Sequence, residues 1–97
     1  QISKTMKLVW SATARSELKQ TVAHIADDDL AAAIRVKDRI SETTNMLATY
    51  PSMGRPGRLE DTRELVIPHL PYLIVYVASA TQVAILRVLH TSRDRSK

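Results

Sequence analysis

The chain predicts an α+β fold of two layers in the order β-α-α-β-β-β, with a helical hairpin packed on one face of a mostly antiparallel sheet. Three observations predict it. The first half carries two stretches whose apolar residues recur at helical spacing. The last third carries three stretches of strand length, joined by PHLP at 68–71 and ASAT at 78–81, both short enough for hairpins. Two helices can cover only one face of such a sheet, so the economical packing is a hairpin laid on one side.

The elements follow in order. KLVW, after Met6, is a short apolar strand over 6–10. Ser11 and Thr13 are both suited to cap the helix that follows, because their hydroxyl oxygens accept from backbone N–H groups left without partners in the first turn. Ala14, Leu18, Val22 and Ile25 then form one apolar stripe, which predicts a helix over 12–28. Asp27, Asp28 and Asp29 interrupt it, since Asp is poor in a helix interior and good at a cap. A second helix is expected over 30–49, with the stripe Ala33, Val36, Ile40, Thr43 and Leu47. Tyr50-Pro51 ends it, because the residue before proline resists the α region. The loop 51–62, PSMGRPGRLEDT, holds both glycines, which are expected to permit positive φ in a turn. Strands are then expected over 63–67, 72–77 and 82–90.

Strict alternation along the last strand sends Val83, Ile85, Arg87 and Leu89 one way and Ala84, Leu86, Val88 and His90 the other. Leu73, Val75 and Val77 likewise oppose Tyr72, Ile74 and Tyr76. Both sheet faces are therefore apolar, and one is left without helical cover. An uncovered apolar face marks an interface.

Composition bounds the function. The 97 residues make one domain, expected over 6–97, with Gln1 to Thr5 set aside as an upstream extension or expression remnant. The hydrophobic fraction is 44% with one Trp, three Tyr and no Phe, so the core is aliphatic. There is no Cys, which excludes a disulfide framework and a thiolate nucleophile or metal ligand. His24, His69 and His90 have no metal-ligand spacing with the acids, and neither metal nor cofactor is expected. No apolar run approaches the ~20 residues that span a bilayer, so no membrane role and a cytoplasmic address are expected. The net charge of +4 suits a nucleic acid or acidic protein partner. Much of the excess sits at the end, where Arg87, Arg93, Arg95 and Lys97 face Asp94 alone. Residues 91–97 carry no apolar side chain and are expected to be unanchored.

The order β-α-α-β-β-β, opening WSATARSEL and continuing through GRPGR, TRELVI, YLIVYV and ILRVLHTSRD, resembles the RelE/ParE superfamily of bacterial toxins across 6–96. It is most similar to the ParE-like branch, where G-R-x-G-R followed by T-R-E-L-V and a terminal V-L-H-x-x-R are characteristic. The resemblance implies a type II toxin–antitoxin pair in a plasmid-stabilisation or stress-response setting. It implies a cognate antitoxin whose C-terminal segment wraps the toxin over its uncovered sheet face and helical groove, and whose complex binds operator DNA through the antitoxin. It implies DNA gyrase as the poisoned target. The alternative is the RelE-like activity, a ribosome-dependent cut in mRNA.

The residues weigh these two. Cleavage next to a 2′-OH needs a base, an acid and positive charge on the phosphate. The candidates are Arg63, Arg87, His90 and Arg93; no Tyr follows Tyr76, and loop 51–62 has no Lys. Arg87 and His90 differ in parity, so the set is incomplete and a gyrase poison is favoured over an enzyme. The target surface is expected to comprise Arg55, Arg58, Arg63, Arg87, Arg93 and Arg95. The antitoxin is expected to cover Leu73, Val75, Tyr76, Ile85 and Leu89.

Overall fold

A computed structural model describes residues 6–94, and for Arg93 and Asp94 the backbone alone. The elements are β1 (Lys7–Trp10), α1 (Ala12–Asp28), α2 (Leu30–Leu47), β2 (Arg55–Pro56), β3 (Arg63–Val66), β4 (Tyr72–Ala78), β5 (Gln82–His90) and α3 (Thr91–Asp94). Five strands form one sheet in the order β1-β5-β4-β3-β2, with α1 and α2 on one face. The expected α+β architecture is therefore present, with a parallel β1–β5 pair at one edge and antiparallel pairs elsewhere.

Ser11 is the joint between β1 and α1. Its N–H donates to the Ile85 carbonyl at 2.9 Å, extending the ladder for one more residue. Its hydroxyl accepts from the Ala14 N–H at 2.9 Å as the α1 cap and donates to the Leu86 carbonyl at 3.0 Å. At the hairpin tip Asp29 caps α2, accepting from the Ala32 N–H at 3.0 Å. Its own N–H donates to the Ile25 carbonyl and closes α1. One aspartate thus serves two helices, which is why the acidic turn is so short. The α2 stripe is buried at Ala33, Ile40, Thr43, Thr44 and Leu47. Of these, Ile40 and Leu47 join Ala14 of α1 in one core cluster with Ile67, Ile74, Tyr76, Val83, Ile85 and Val88.

Four expectations are corrected. A bulge in β5 breaks its alternation: Val75 lies opposite Arg87 but Tyr76 lies opposite Ile85, leaving Leu86 as the extra residue. Val83 and Ile85 therefore face the helices, as Val88 and His90 do beyond the bulge, while Arg87 and Leu89 share the outer face with Leu73 and Val75. Gly54 and Gly57 do not have positive φ; Asp61 and His69 do, at 69° and 67°. The glycines serve close approach instead. A Cβ on Gly54 would lie 2.8 Å from the Glu64 carbonyl oxygen and 2.8 Å from Tyr76 Oη, and one on Gly57 would meet Thr62 Oγ1. The outer face is not bare, because the loop 57–62 curls beside it. Gly57 N–H donates to the Thr62 carbonyl at 2.8 Å, and Thr62 Oγ1 donates to the Leu59 carbonyl at 2.6 Å. Leu73 is only 2% exposed as a result of its setting on that face. Finally, the segment after β5 begins as α3, tied back by the Thr91 N–H to the Pro71 carbonyl at 2.8 Å. Residues 95–97 and 1–5 lie outside the described residues.

Candidate functional site

Among the described residues, polar groups gather at three places on the sheet: two where a strand runs out, and one on its outer face. The first is at the β2–β3 corner. Tyr76 is fully buried, and its hydroxyl donates to the Pro51 carbonyl at 2.8 Å while accepting from the Gly54 N–H at 2.8 Å. Arg63 Nη1 donates to the Gly54 carbonyl at 2.7 Å. Burial pushes the Tyr76 phenol above its ordinary pKa of 10.0, against the opposing pull of the Gly54 N–H and the nearby Arg63 charge. Tyr76 and Arg63 together hold the loop that begins GRPGR.

The second is the outer face. Arg58, Leu59 and Thr62 of the loop meet Leu73, Val75, Glu64, Arg87 and Leu89 of the sheet around a shallow trough of about 150 Å³. Glu64 is 8% exposed; it accepts from the Arg58 N–H at 3.3 Å and lies 3.9 Å from the exposed guanidinium of Arg55. The trough has an apolar floor and a guanidinium rim.

The third is the edge of β5 beyond the end of β1. Here Glu17 of α1 takes the place of a neighbouring strand. Its Oε1 accepts from the Val88 N–H at 2.8 Å, and its Oε2 accepts from Arg87 Nε at 2.9 Å and Nη2 at 2.6 Å. Around the corner, on the helix side, Gln20, Thr21, His24, Tyr72 and His90 line a groove of about 340 Å³ with Glu17. Tyr72 and His90 meet edge to face, ring centroids 5.4 Å apart. His90 Nδ1 accepts from the Ser92 N–H at 3.2 Å.

The sequence-derived candidates divide among these places. Arg55, Arg58 and Arg87 border the outer face. Arg63 lies opposite Tyr76 on the helix side, and His90 lies opposite Tyr72 on that same side, four residues away along β4, roughly 13 Å. Arg87 is on the other face. The side chain of Arg93 and all of Arg95 lie outside the described residues. Of the residues expected beneath a partner, Val75 and Leu89 are half-buried on the outer face; Leu73 is on that face but already buried by this chain, and Tyr76 and Ile85 are fully buried in the core, so these three offer no surface. Sequence reasoning missed Glu17, Gln20, Thr21 and His24. Their spacing of i, i+3, i+4 and i+7 is a polar stripe along α1, and that was the available signal. Among the described residues no group of three or more acids and histidines is placed to hold a metal ion.

Across residues 8–95 the chain matches the family model described as ParE toxin of type II toxin-antitoxin system, parDE. The chain belongs to the ParE toxin family. This toxin is 44% identical over 88 residues, 91% of each chain, to a Sinorhizobium fredii protein named "Putative toxin Y4kP". It is 30% identical over 87 residues to Toxin RelE2 of Caulobacter vibrioides, covering 90% of this chain and 97% of that one. Its fold is similar to that of the solved structure "Chromosomal ParDE TA system from P. aeruginosa". The TM-score is 0.81 at 21% identity, over 89% of this chain and 96% of the other. Membership makes the chain the toxin of a type II toxin–antitoxin pair and implies a cognate antitoxin as its partner. No helix among the described residues is long and apolar enough to cross a membrane.

Proposed function

We propose that this toxin arrests growth by poisoning DNA gyrase in the cytoplasm, meeting its target through the arginine-rimmed outer face of the sheet. The observation that carries this reading is the dispersal of the acid–base candidates. RNA cleavage needs base, acid and cation around one phosphate. Here His90 and Arg63 lie apart on the helix side, Arg63 is bound to the Gly54 carbonyl, and Arg87 is on the opposite face bound to Glu17. A binding surface needs no such convergence. It needs exposed charge beside apolar area, and the outer face supplies Arg55, Arg58 and Arg87 next to Val75 and Leu89.

The same face suits neutralisation by the antitoxin. Leu59 is 72% exposed and Val66 is 48% exposed at its margins. Such residues are expected to be covered in the complex, whose total buried area should exceed ~1,200 Å². The antitoxin supplies the operator-binding part, and the pair serves plasmid stabilisation. The assay that tests the target is gyrase supercoiling and cleavage-complex formation beside translation-coupled mRNA cleavage, using the purified chain. Gyrase inhibition with intact mRNA is expected. Cleaved mRNA with unaffected gyrase would replace this reading with the RelE-like one.

A further inference from the structure

We propose that Glu17 is the positioning residue of the outer face: it fixes the Arg87 guanidinium at the sheet edge, so that Arg87 meets the target in one orientation. The inference rests on the reading of Arg87 as target-facing.

Three facts lead to it. First, Arg87 is where the alternation of β5 changes. The bulge at Leu86 turns Arg87 to the outer face, at the point where β1 has ended and the edge of β5 is open on the α1 side. Second, one carboxylate meets both consequences of that bulge. Glu17 Oε1 satisfies the Val88 N–H that a further strand would otherwise take, and Oε2 grips Nε and Nη2 of Arg87. The side-on, two-nitrogen contact uses the fixed fork of the guanidinium, which fixes its plane as well as its place. Third, the pair is not buried. The Arg87 side chain remains 47% exposed and Glu17 22% exposed. An ion pair this wet contributes little to folding, yet Arg87 also lines the outer trough with Arg58, Val75 and Leu89. A costly-to-order side chain, held in one rotamer at a target surface, is preorganised for binding.

The carboxylate and the backbone bond can be separated. Glu17→Gln keeps a neutral oxygen for the Val88 N–H and removes the charge facing Arg87. In the full chain, the Arg87 Nε–H resonance should exchange with water at least about tenfold faster in Glu17→Gln than in wild type. Amide exchange at Val88 should be little changed, and the melting midpoint should fall by no more than about 4 °C. Growth inhibition at matched expression should drop about tenfold, the scale of one misplaced charge-assisted contact. Arg87→Lys retains charge without the fork and should lose inhibition to a similar extent. Unchanged protection of the Arg87 Nε–H in Glu17→Gln overturns the positioning role. A mobilised Arg87 with undiminished growth inhibition overturns its functional meaning. If Arg87→Ala is itself fully toxic, the outer-face reading falls, and the resonance alone still decides whether Glu17 holds Arg87.

Discussion

Two junctions of this toxin solve the same problem by opposite means. At the β2–β3 corner and at the β5 edge, the sheet runs out of strand partners and a side chain takes over. The corner uses a neutral, buried phenol: Tyr76 is fully buried and bonds the backbone on both sides of the turn, at Pro51 and Gly54. The edge uses a charged, partly exposed carboxylate, Glu17, on Val88 and Arg87. A hydrogen bond lost from a buried site leaves its partner unsolvated, whereas water replaces one lost at an exposed edge. The corner should therefore govern stability. The edge should contribute little to stability and be available for function.

The most damaging test of the corner is Gly54→Ala. Its Cβ would come within 2.8 Å of a backbone oxygen and of Tyr76 Oη, neither of which can rotate away. A loss of about 3 kcal/mol is expected, at the upper end of overpacking costs, read by chemical denaturation. A loss below ~1 kcal/mol would show that the corner is loose and remove the contrast.

Tyr76→Phe separates packing from polarity at the same place. The ring stays while the Gly54 N–H and Pro51 carbonyl lose their partner, for a cost of about 2 kcal/mol. It also predicts a pH signature. The phenol is raised in the fold, so above the unfolded value near 10 the unfolded chain loses its proton first. Stability is thus complete below about pH 10 and falls as pH rises from there through the folded pKa. The Phe variant should lack that component. Denaturation curves of the two chains at pH 8 and pH 11 check it; parallel losses in both would exclude Tyr76 as the source.

How much of this contrast the sequence shows depends on the range of the interaction. Both helices and four of the five strands are legible, since Leu18, Val22, Ile40 and Leu47 or the alternation of 72–77 declare their period locally. The ends of β5 are legible for the same reason. Its bulge is not, because it lies in the register of β5 against β4, where Val75 meets Arg87 and Tyr76 meets Ile85, and strict local alternation carries no sign of it. The two-residue β2 escapes detection because Arg55-Pro56 has no period and proline argues against a strand. The arginines of the candidate site are visible as residue types, but their partners lie outside their own elements: Glu17 is 70 residues from Arg87, and Gly54 is across a loop from Arg63. A glutamate among the polar residues of α1 gives no local sign that it closes a strand edge. The glycines show the reverse failure. Their need is close approach to Tyr76 and Thr62, whereas local rules offer a turn with positive φ.

At the edge, Glu17→Ala should cost about 1 kcal/mol, less than Tyr76→Phe, because two of its three lost bonds, those to Arg87, are exposed to water and the third, from the Val88 N–H, is only part-buried. Hydrogen exchange should rise at Val88 and leave Gly54 protected. If Glu17→Ala proved the more destabilising of the two, the edge would be part of the structural core and the division between the junctions would be wrong.

The smallest effect expected is also the most selective. Screening acts on exposed charges and scarcely on a buried neutral network, and the Debye length falls from about 14 Å near 0.05 M salt to about 4 Å near 0.5 M. Raising NaCl across that range should weaken the Glu17–Arg87 pair by less than ~0.5 kcal/mol. Bulk salt effects on the rest of the chain would hide so small a change, so the comparison is made between variants. The stability difference between wild type and Glu17→Gln should shrink as salt rises, because the charge that distinguishes them is being screened. The difference between wild type and Tyr76→Phe should stay constant, because neither partner of that hydroxyl carries a charge. Equal salt dependence in the two differences would mean that both junctions sense solvent alike, and the carboxylate at the edge would lose its distinction from the phenol in the core.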